Sequence, residues 1–421
     1  MWVKKTWLVF FLVLLLVVGV YIKNQPWWQA YDPFLEPVRI GFVGPWTGPY
    51  AGSSLTMREG GELAVENMNR NGGINGRQVL LIEKDDEGDP EKCRKAVSEL
   101  ILEDKVAAIV GPYNSQNCLA IMDLVEENKV ALITPIAMTD EISIQDDYIF
   151  RNTLGIKEDY EKFNAYVSLR NEEYMLLDSI NYQDLGILWQ HDLWGQEMTQ
   201  CVLEMMQNLG KEKALLFCEP YQLGQTDFSQ LLGETLCSKH PDVIHLVGQI
   251  DESIRIVRQA REMGYQGLFV GAAGFKMPEF DKALGEIADG CLFTSQWHPS
   301  FSTPMSDVFV KLYSEKYPQK TPDMFAAFTY EAMYILKNAM QNAGNSYTDI
   351  SKWRASIRDR LAETKNFYGM SGRISFDRFG QCDRPNFMLQ KRWDGHKITA
   401  VIVFPRQYAQ DQIRWDFQFS G

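Results

Sequence analysis

From Arg39 onward the chain alternates short apolar runs with amphipathic stretches, and this rhythm constrains the fold more than any other feature. Residues 38–43 form an apolar run ended by Gly44-Pro45. "TMREGGELAVENMNRNGG" follows with helical spacing; Leu63, Ala64 and Met68 share one face, and Gly72-Gly73 stops it as a C-cap does. "RQVLLIEKDD" has strand character, and "DPEKCRKAVSELILEDK" is a helix with Asp89 as N-cap and Pro90 in its first turn. "VAAIVGP", "SQNCLAIMDLVEENK" and "VALITPIA" repeat the cycle. Runs this apolar need cover on both faces, so the pattern predicts an α/β fold of mostly parallel, doubly wound sheets.

The cycle then resumes. "DLGILWQHD", "KALLFCEPY", "DVIHLVGQ" and "GLFVGAAG" are strand-like, separated by the helical "GQEMTQCVLEMMQNLG", "DFSQLLGETLCSKH" and "ESIRIVRQAREMG". "CLFTSQW" (291–297) adds a strand, and helical stretches follow at 304–317, 322–343 and 350–365. Residues 374–404 are β-rich, with turn signals at 378–380 and Asp394-Gly395. One sheet of so many strands would be unusually wide, so the repeat predicts two lobes.

The glycines at 41, 44, 48 and 52 raise the question of a phosphate cradle. Neither the G-x-G-x-x-G of a dinucleotide fold nor the G-K-[ST] of a P-loop occurs, and Pro45 and Pro49 interrupt the stretch. What remains is a strand end, a rigid turn and a helix start carrying Ser53, Ser54 and Thr56. Backbone N–H groups there suit a small polar or anionic ligand. The net charge of −13, without any long Lys/Arg run, excludes a nucleic-acid footprint. The five histidines form no H-x-H or H-E-x-x-H, no G-x-S-x-G is present, and adjacent His191 and Asp192 point to opposite faces of a strand. The expectation is a binding protein, not an enzyme, with no metal and no cofactor.

Lys4 and Lys5 precede the uncharged, apolar residues 7–22, and Lys23 follows. A basic region before an apolar one is an export signal. Bulky Tyr21, Trp27 and Trp28 stand where a cleavage site would want small residues. Residues 1–23 therefore read as an uncleaved signal anchor in preference to a cleaved peptide, with 24–37 as linker and the remainder periplasmic or extracytoplasmic. Export permits disulfides; the seven cysteines are an odd number with no C-x-x-C, which favours buried free thiols for most.

The motifs "IGFVGPWTGP", "GGELAVENMNRNGGINGRQVLLIEKDDEGDP", "AAIVGPYNSQ", "ITPIAMT" and "IFRNT" resemble the periplasmic branched-chain amino-acid-binding proteins, the type I periplasmic-binding fold. "DLWGQEM", "TDFSQLL" and "DESIRIVRQAREMG" continue the resemblance, which spans roughly residues 38–405. It implies two lobes joined by three crossovers near 155, 295 and 371: lobe 1 from 38–155 and 296–371, lobe 2 from 156–295 and 372–410, and 411–421 as tail. Ligand would bind between the lobes and be buried by hinge closure.

Residue by residue, the resemblance implies that Ser115, after Asn114, holds a ligand carboxylate, and that Ile136 and Ala137 offer backbone groups. Met138 stands where the family often has a hydroxyl, with Thr139 one place along as substitute. Trp194 aligns with an aromatic that covers the ligand. The family meets an α-ammonium with a carboxylate and an aromatic; those positions here are Ala273 and Gln249, and Ser53 replaces an aromatic in the opening loop. An ammonium buried without a carboxylate would cost several kcal/mol. Either the ligand lacks a free α-amino group, the preferred reading, or a displaced acid such as Asp192, Glu219 or Asp251 takes over. Trp46, Tyr113 and Trp194, if they face the cleft, suit a flat or aromatic acid or an amide. The family's commonly disulfide-bonded loops place Cys93 and Cys118 one turn away from the usual positions, which implies a Cys93–Cys118 disulfide.

A transport receptor would hand its solute to an ABC-type permease. The alternative is a tethered sensory protein signalling through a separate partner such as a histidine kinase, since only six residues precede the apolar run.

Overall fold

A computed structural model describes residues 35–168, 184–344 and 349–414. The expected anchor at 7–22, most of the 24–37 linker and the end of the 411–421 tail lie outside the described residues. Among the described residues no helix is long and apolar enough to cross a membrane.

The first half of the chain winds Val38–Gly44 (β1), Ala51–Arg70 (α1), Val79–Asp85 (β2), Pro90–Leu102 (α2), Ala108–Val110 (β3), Ser115–Leu119 (α3), Met122–Glu127 (α4), Leu132–Thr134 (β4) and Ile149–Arg151 (β5) into one layer system. Its five strands are all parallel in the order β2-β1-β3-β4-β5. Ile40, Phe42, Ile109, Val110, Leu132 and Ile133 are wholly buried, as expected of strands covered on both faces. α2 starts where its caps predict: the Asp89 carboxylate accepts from the N–H groups of Glu91 and Lys92, and Pro90 occupies the first turn. The "SQNCLAIMDLVEENK" helix is broken at Ala120–Ile121 into the short α3 and α4.

The chain then passes through Ile156–Ser168 (α5) into a second sheet. Its parallel part comprises Leu185–Gln190 (β6), Leu215–Tyr221 (β7), Val243–Val247 (β8), Leu268–Gly271 (β9) and Leu292–Ser295 (β10). Leu193–Asn208 (α6), Ser229–Lys239 (α7), Ile250–Glu262 (α8) and Pro278–Leu284 (α9) alternate with these strands. Pro304–Lys316 (α10), Met324–Asn342 (α11) and Ile350–Ala362 (α12) follow, and α11 lies against α1. A Cβ on Gly60 of α1 would stand 2.2 Å from the Ala326 carbonyl, so that helix contact requires glycine. Phe367–Gly369 (β11) and Gly372–Ile374 (β12) pair as a small hairpin. Phe387–Trp393 (β13) and Ile398–Phe404 (β14) then add antiparallel strands, completing the order β14-β13-β10-β9-β8-β6-β7. Both turns foreseen there form: Asp377 Oδ1 accepts from Phe379 and Gln381 N–H groups, and Asp394 Oδ1 from His396 and Lys397.

The expected Cys93–Cys118 disulfide is absent. All seven cysteines are free thiols. Cys93 and Cys118 are both fully buried in one apolar cluster with Val97, Ile121 and Val125, and Cys93 Sγ lies 3.9 Å from the Asn117 carbonyl oxygen. Burial pushes the Cys118 thiol up to about 12, so each sulfur acts as a small apolar packing group.

Candidate functional site

In each sheet the strand order reverses once, between β1 and β3 in the first and between β6 and β8 in the second. Loops at the carboxyl ends of strands flanking such a reversal diverge and leave a crevice. Both crevices open onto one cavity. Tyr50 leads into α1, and Tyr113, Asn114 and Ser115 follow β3. The second sheet contributes Asp192 and Trp194 after β6, and Gln249 after β8. About 60 Å3 of water-accessible space remains inside, several times the ~10–15 Å3 that one water needs, so the cavity has room for a small ligand.

Most of the residues expected at a site meet here. Asn114, Ser115, Ile136, Ala137, Met138, Trp194, Gln249 and Ala273 all line the cavity, as does Tyr113. The loop carrying Ile136–Met138 is fixed from behind: Thr134 Oγ1 accepts from Ala137 N–H at 3.1 Å, and buried Arg151 donates to the Met138 and Thr139 carbonyls at 2.9 and 2.6 Å. Ser115 Oγ accepts from Thr139 N–H at 3.2 Å, which leaves its own hydroxyl proton free to donate. Asn114 makes no side-chain cap, and α3 is only five residues long, so little helix dipole supports an anion there.

Three expected residues lie elsewhere. Thr139 turns its hydroxyl to Glu197 on α6 at 2.7 Å. Ser53 is buried where its oxygen accepts from Ile250 N–H at 3.5 Å. The turn at Trp46 is pinned by Asp85, which accepts from Trp46 N–H at 2.9 Å, and the indole packs on Phe42 and under the Arg58 guanidinium. Of the displaced acids, Glu219 and Asp251 are exposed and outside the lining. Asp192 lines it but already accepts from Tyr50 Oη at 2.9 Å, Gly195 N–H at 2.7 Å and Gln190 Nε2 at 2.5 Å; burial raises its pKa.

The cavity also holds groups the sequence reading missed. Asp159 and Tyr160, in the first turns of α5, and Phe163 line its far side with His245 from β8 and Lys276. Asp159 Oδ1 accepts from Gln296 Nε2 at 3.0 Å and Asn386 Nδ2 at 3.1 Å, and burial raises its pKa. Tyr160 Oη and His245 Nε2 are 3.0 Å apart; burial alone lowers the imidazole to about 4, so it is neutral at pH 7. Lys276 ends the 3-10 turn Ala273–Lys276 after β9. In such a turn positions three apart eclipse, so Ala273 and Lys276 share the cavity face. That spacing was the available signal for the lysine. For Asp159 it was nearness to the expected crossover at 155.

Among the described residues, hydrogen bonds that cross the cleft include Tyr50–Asp192, Tyr113 Oη to Gln249 Oε1 at 2.7 Å, Thr139–Glu197 and Ile250 N–H to Ser53. They link α1 and loops of the first sheet to α6, α8 and the loops of the second.

A family model described as "Periplasmic binding protein" matches residues 37–396. A Leu/Ile/Val-binding protein homolog of Brucella melitensis is 25% identical over 86% of this chain and 93% of its own length. The leucine-, isoleucine-, valine-, threonine- and alanine-binding protein of Pseudomonas aeruginosa is 25% identical over 87% and 92%. Among solved structures, the branched-chain amino acid transporter substrate-binding protein of Streptococcus pneumoniae, in complex with isoleucine, aligns with a TM-score of 0.74, 27% identity and coverage of 88% and 100%. A solute-binding protein of R. palustris, in complex with benzoate, shares the fold at a TM-score of 0.74 and 17% identity, with coverage of 87% and 96%. The chain thus belongs to the periplasmic binding protein family, as an extracytoplasmic, non-enzymatic substrate-binding protein of the ABC-transport type.

Proposed function

We propose that this protein captures a small carboxylate-bearing or polar molecule without a free α-amino group, and delivers it to an ABC-type permease. The two lobes are residues 38–155 with 296–371 and residues 156–295 with 372–410, and they close on the ligand as jaws. Ser115 donates its hydroxyl proton to the ligand's acceptor, the Ile136–Met138 loop offers backbone groups, and Trp194 covers the apolar part. The reading includes a membrane tether at residues 7–22. Relatives named for leucine, isoleucine and valine, and a fold neighbour holding benzoate, together span the ligand classes considered.

One observation carries the choice between them. The residue one would ask to neutralise an ammonium is Ala273, and the two carboxylates that reach the cavity are already held, Asp192 by three donors and Asp159 by the Gln296 and Asn386 amides. A cationic group placed there would lose water without gaining a dedicated partner. A thermal-shift screen of branched-chain amino acids against aliphatic and aromatic carboxylates tests this. Carboxylates are expected to raise Tm, and a strong, selective shift by leucine or valine would overturn the reading.

A further inference from the structure

The charges that line the cavity do not balance in the way their hydrogen bonds suggest. Asp159 and Asp192 are both held by neutral donors within the protein. Lys276 is not held by anything comparable: among the described residues it is the one lysine or arginine on the lining, and it has no hydrogen-bond or ion-pair partner. Its ammonium feels Asp159 only at a distance, and burial lowers its pKa. A partly buried ammonium without a partner is costly, whereas a carboxylate with two amide donors is already stabilised. The imbalance points at what is missing from the site, and the missing group is an anion.

We infer that Lys276 is the specificity-determining residue of the site, pairing with the carboxylate of an organic acid that carries no amino group. The position follows from the fold. Ala273 removes the bulk that would otherwise stand between β9 and the ligand, and Lys276, one 3-10 turn further on the same face, reaches over it. The same lysine repels an ammonium from Asp159, the carboxylate that could otherwise attract one, because the two would share one poorly hydrated space. Trp194, Phe163, Tyr160, Met138 and Phe325 supply apolar and aromatic surface for the body of the acid. This deepens the solute-binding reading above and rests on it.

The test is calorimetric titration of the purified full-length protein and of Lys276→Gln and Lys276→Arg. The probes are 4-methylpentanoate, its primary amide and leucine, with benzoate and benzamide as the aromatic pair. Wild type should bind at least one acid roughly tenfold or more tightly than its amide, the scale of a charge-assisted hydrogen bond. Lys276→Gln should lose that preference while Lys276→Arg keeps it. Because the substitution removes an unpaired charge, the unliganded Lys276→Gln protein should melt no lower than wild type. An acid-over-amide preference that survives in Lys276→Gln overturns the assignment, as does leucine binding more tightly than 4-methylpentanoate. Wild type that binds none of these probes overturns the small-solute reading itself and the lysine's role with it.

Discussion

Among the described residues the two halves of the fold meet at the hinge and again across the cleft, and the chemistry differs between these regions. At the hinge, all three passages of the chain are joined through buried polar groups. Asn152, just after β5, donates to Glu331 of α11 at 2.9 Å and to the Phe328 carbonyl at 3.0 Å; Glu331 also pairs with Arg384 and accepts from Met370 N–H. Gln296, just after β10, accepts from Thr153 Oγ1 at 3.1 Å and Leu154 N–H at 2.9 Å while donating to Asp159. Across the cleft, among the described residues, the contacts are single hydrogen bonds with no ion pair among them, such as Tyr50–Asp192 and Tyr113–Gln249. Breaking one such bond costs on the order of 1 kcal/mol, whereas stripping one partner from a buried ion pair costs about 3–5 kcal/mol. The same molecule therefore has one strongly held edge and one weakly held edge, as the jaw motion proposed above requires.

The largest effect should come from the hinge. Glu331→Ala leaves Arg384 buried without its carboxylate and Asn152 with the Phe328 carbonyl alone, so urea unfolding should show a loss of about 3–5 kcal/mol. A loss under about 1 kcal/mol would erase the contrast between the two edges.

Next comes the cavity wall. His245 is neutral when folded, with its pKa lowered to about 4 by burial, but takes a proton in the unfolded chain near its usual ~6.5. The unfolded state thus binds the extra proton, so stability from this residue is full above ~6.5 and is lost as pH falls toward about 4. In His245→Gln that acid-side loss should shrink by up to about 3 kcal/mol relative to wild type, read from unfolding at a series of pH values. Parallel pH profiles for the two proteins would show that the wall is wetter than its packing against Tyr160 indicates.

Smaller effects belong to the ligand and the latch. Ser115→Ala removes the free hydroxyl donor and should weaken ligand binding by about 1–2 kcal/mol in calorimetric titration, and it should also lower the unliganded Tm, because the buried Thr139 N–H loses its acceptor. Tyr113→Phe breaks one cross-cleft bond and should lower apparent affinity several-fold, on the order of 1 kcal/mol, by depopulating the closed form. Small-angle scattering of the unliganded variant should then show a more open average shape. An affinity equal to wild type would mean that closure does not depend on this bond.

Much of this was legible in the sequence. The strand–helix rhythm, the Asp89-Pro90 cap and the turn at Asp394-Gly395 are local: their periodicity and turn chemistry act over a few residues, and the elements formed where the pattern placed them. Ser115, Ile136–Met138 and Trp194, which the family resemblance singled out, line the cavity because each lies near a strand end, where loops of this architecture converge. Trp46 and Thr139 lie off the cavity lining because a side chain's direction in a loop depends on distant partners, Asp85 in one case and Glu197 in the other. The disulfide failed for a related reason: two cysteines near each other in the fold can pack as apolar groups as readily as they bond.

What the sequence by itself determined is the set of elements, their alternation and the family to which they belong. Tertiary structure decided which charges share a space. Asp159, His245 and Lys276 are separated by 31 residues or more along the chain, and nothing local marks them as neighbours. Whether a carboxylate is satisfied or an ammonium is left without a partner depends on Gln296 and Asn386 arriving from other crossovers. Periodicity is a property of adjacent residues, but burial and electrostatic pairing are properties of the assembled whole, because the cost of a charge depends on everything that displaces its water.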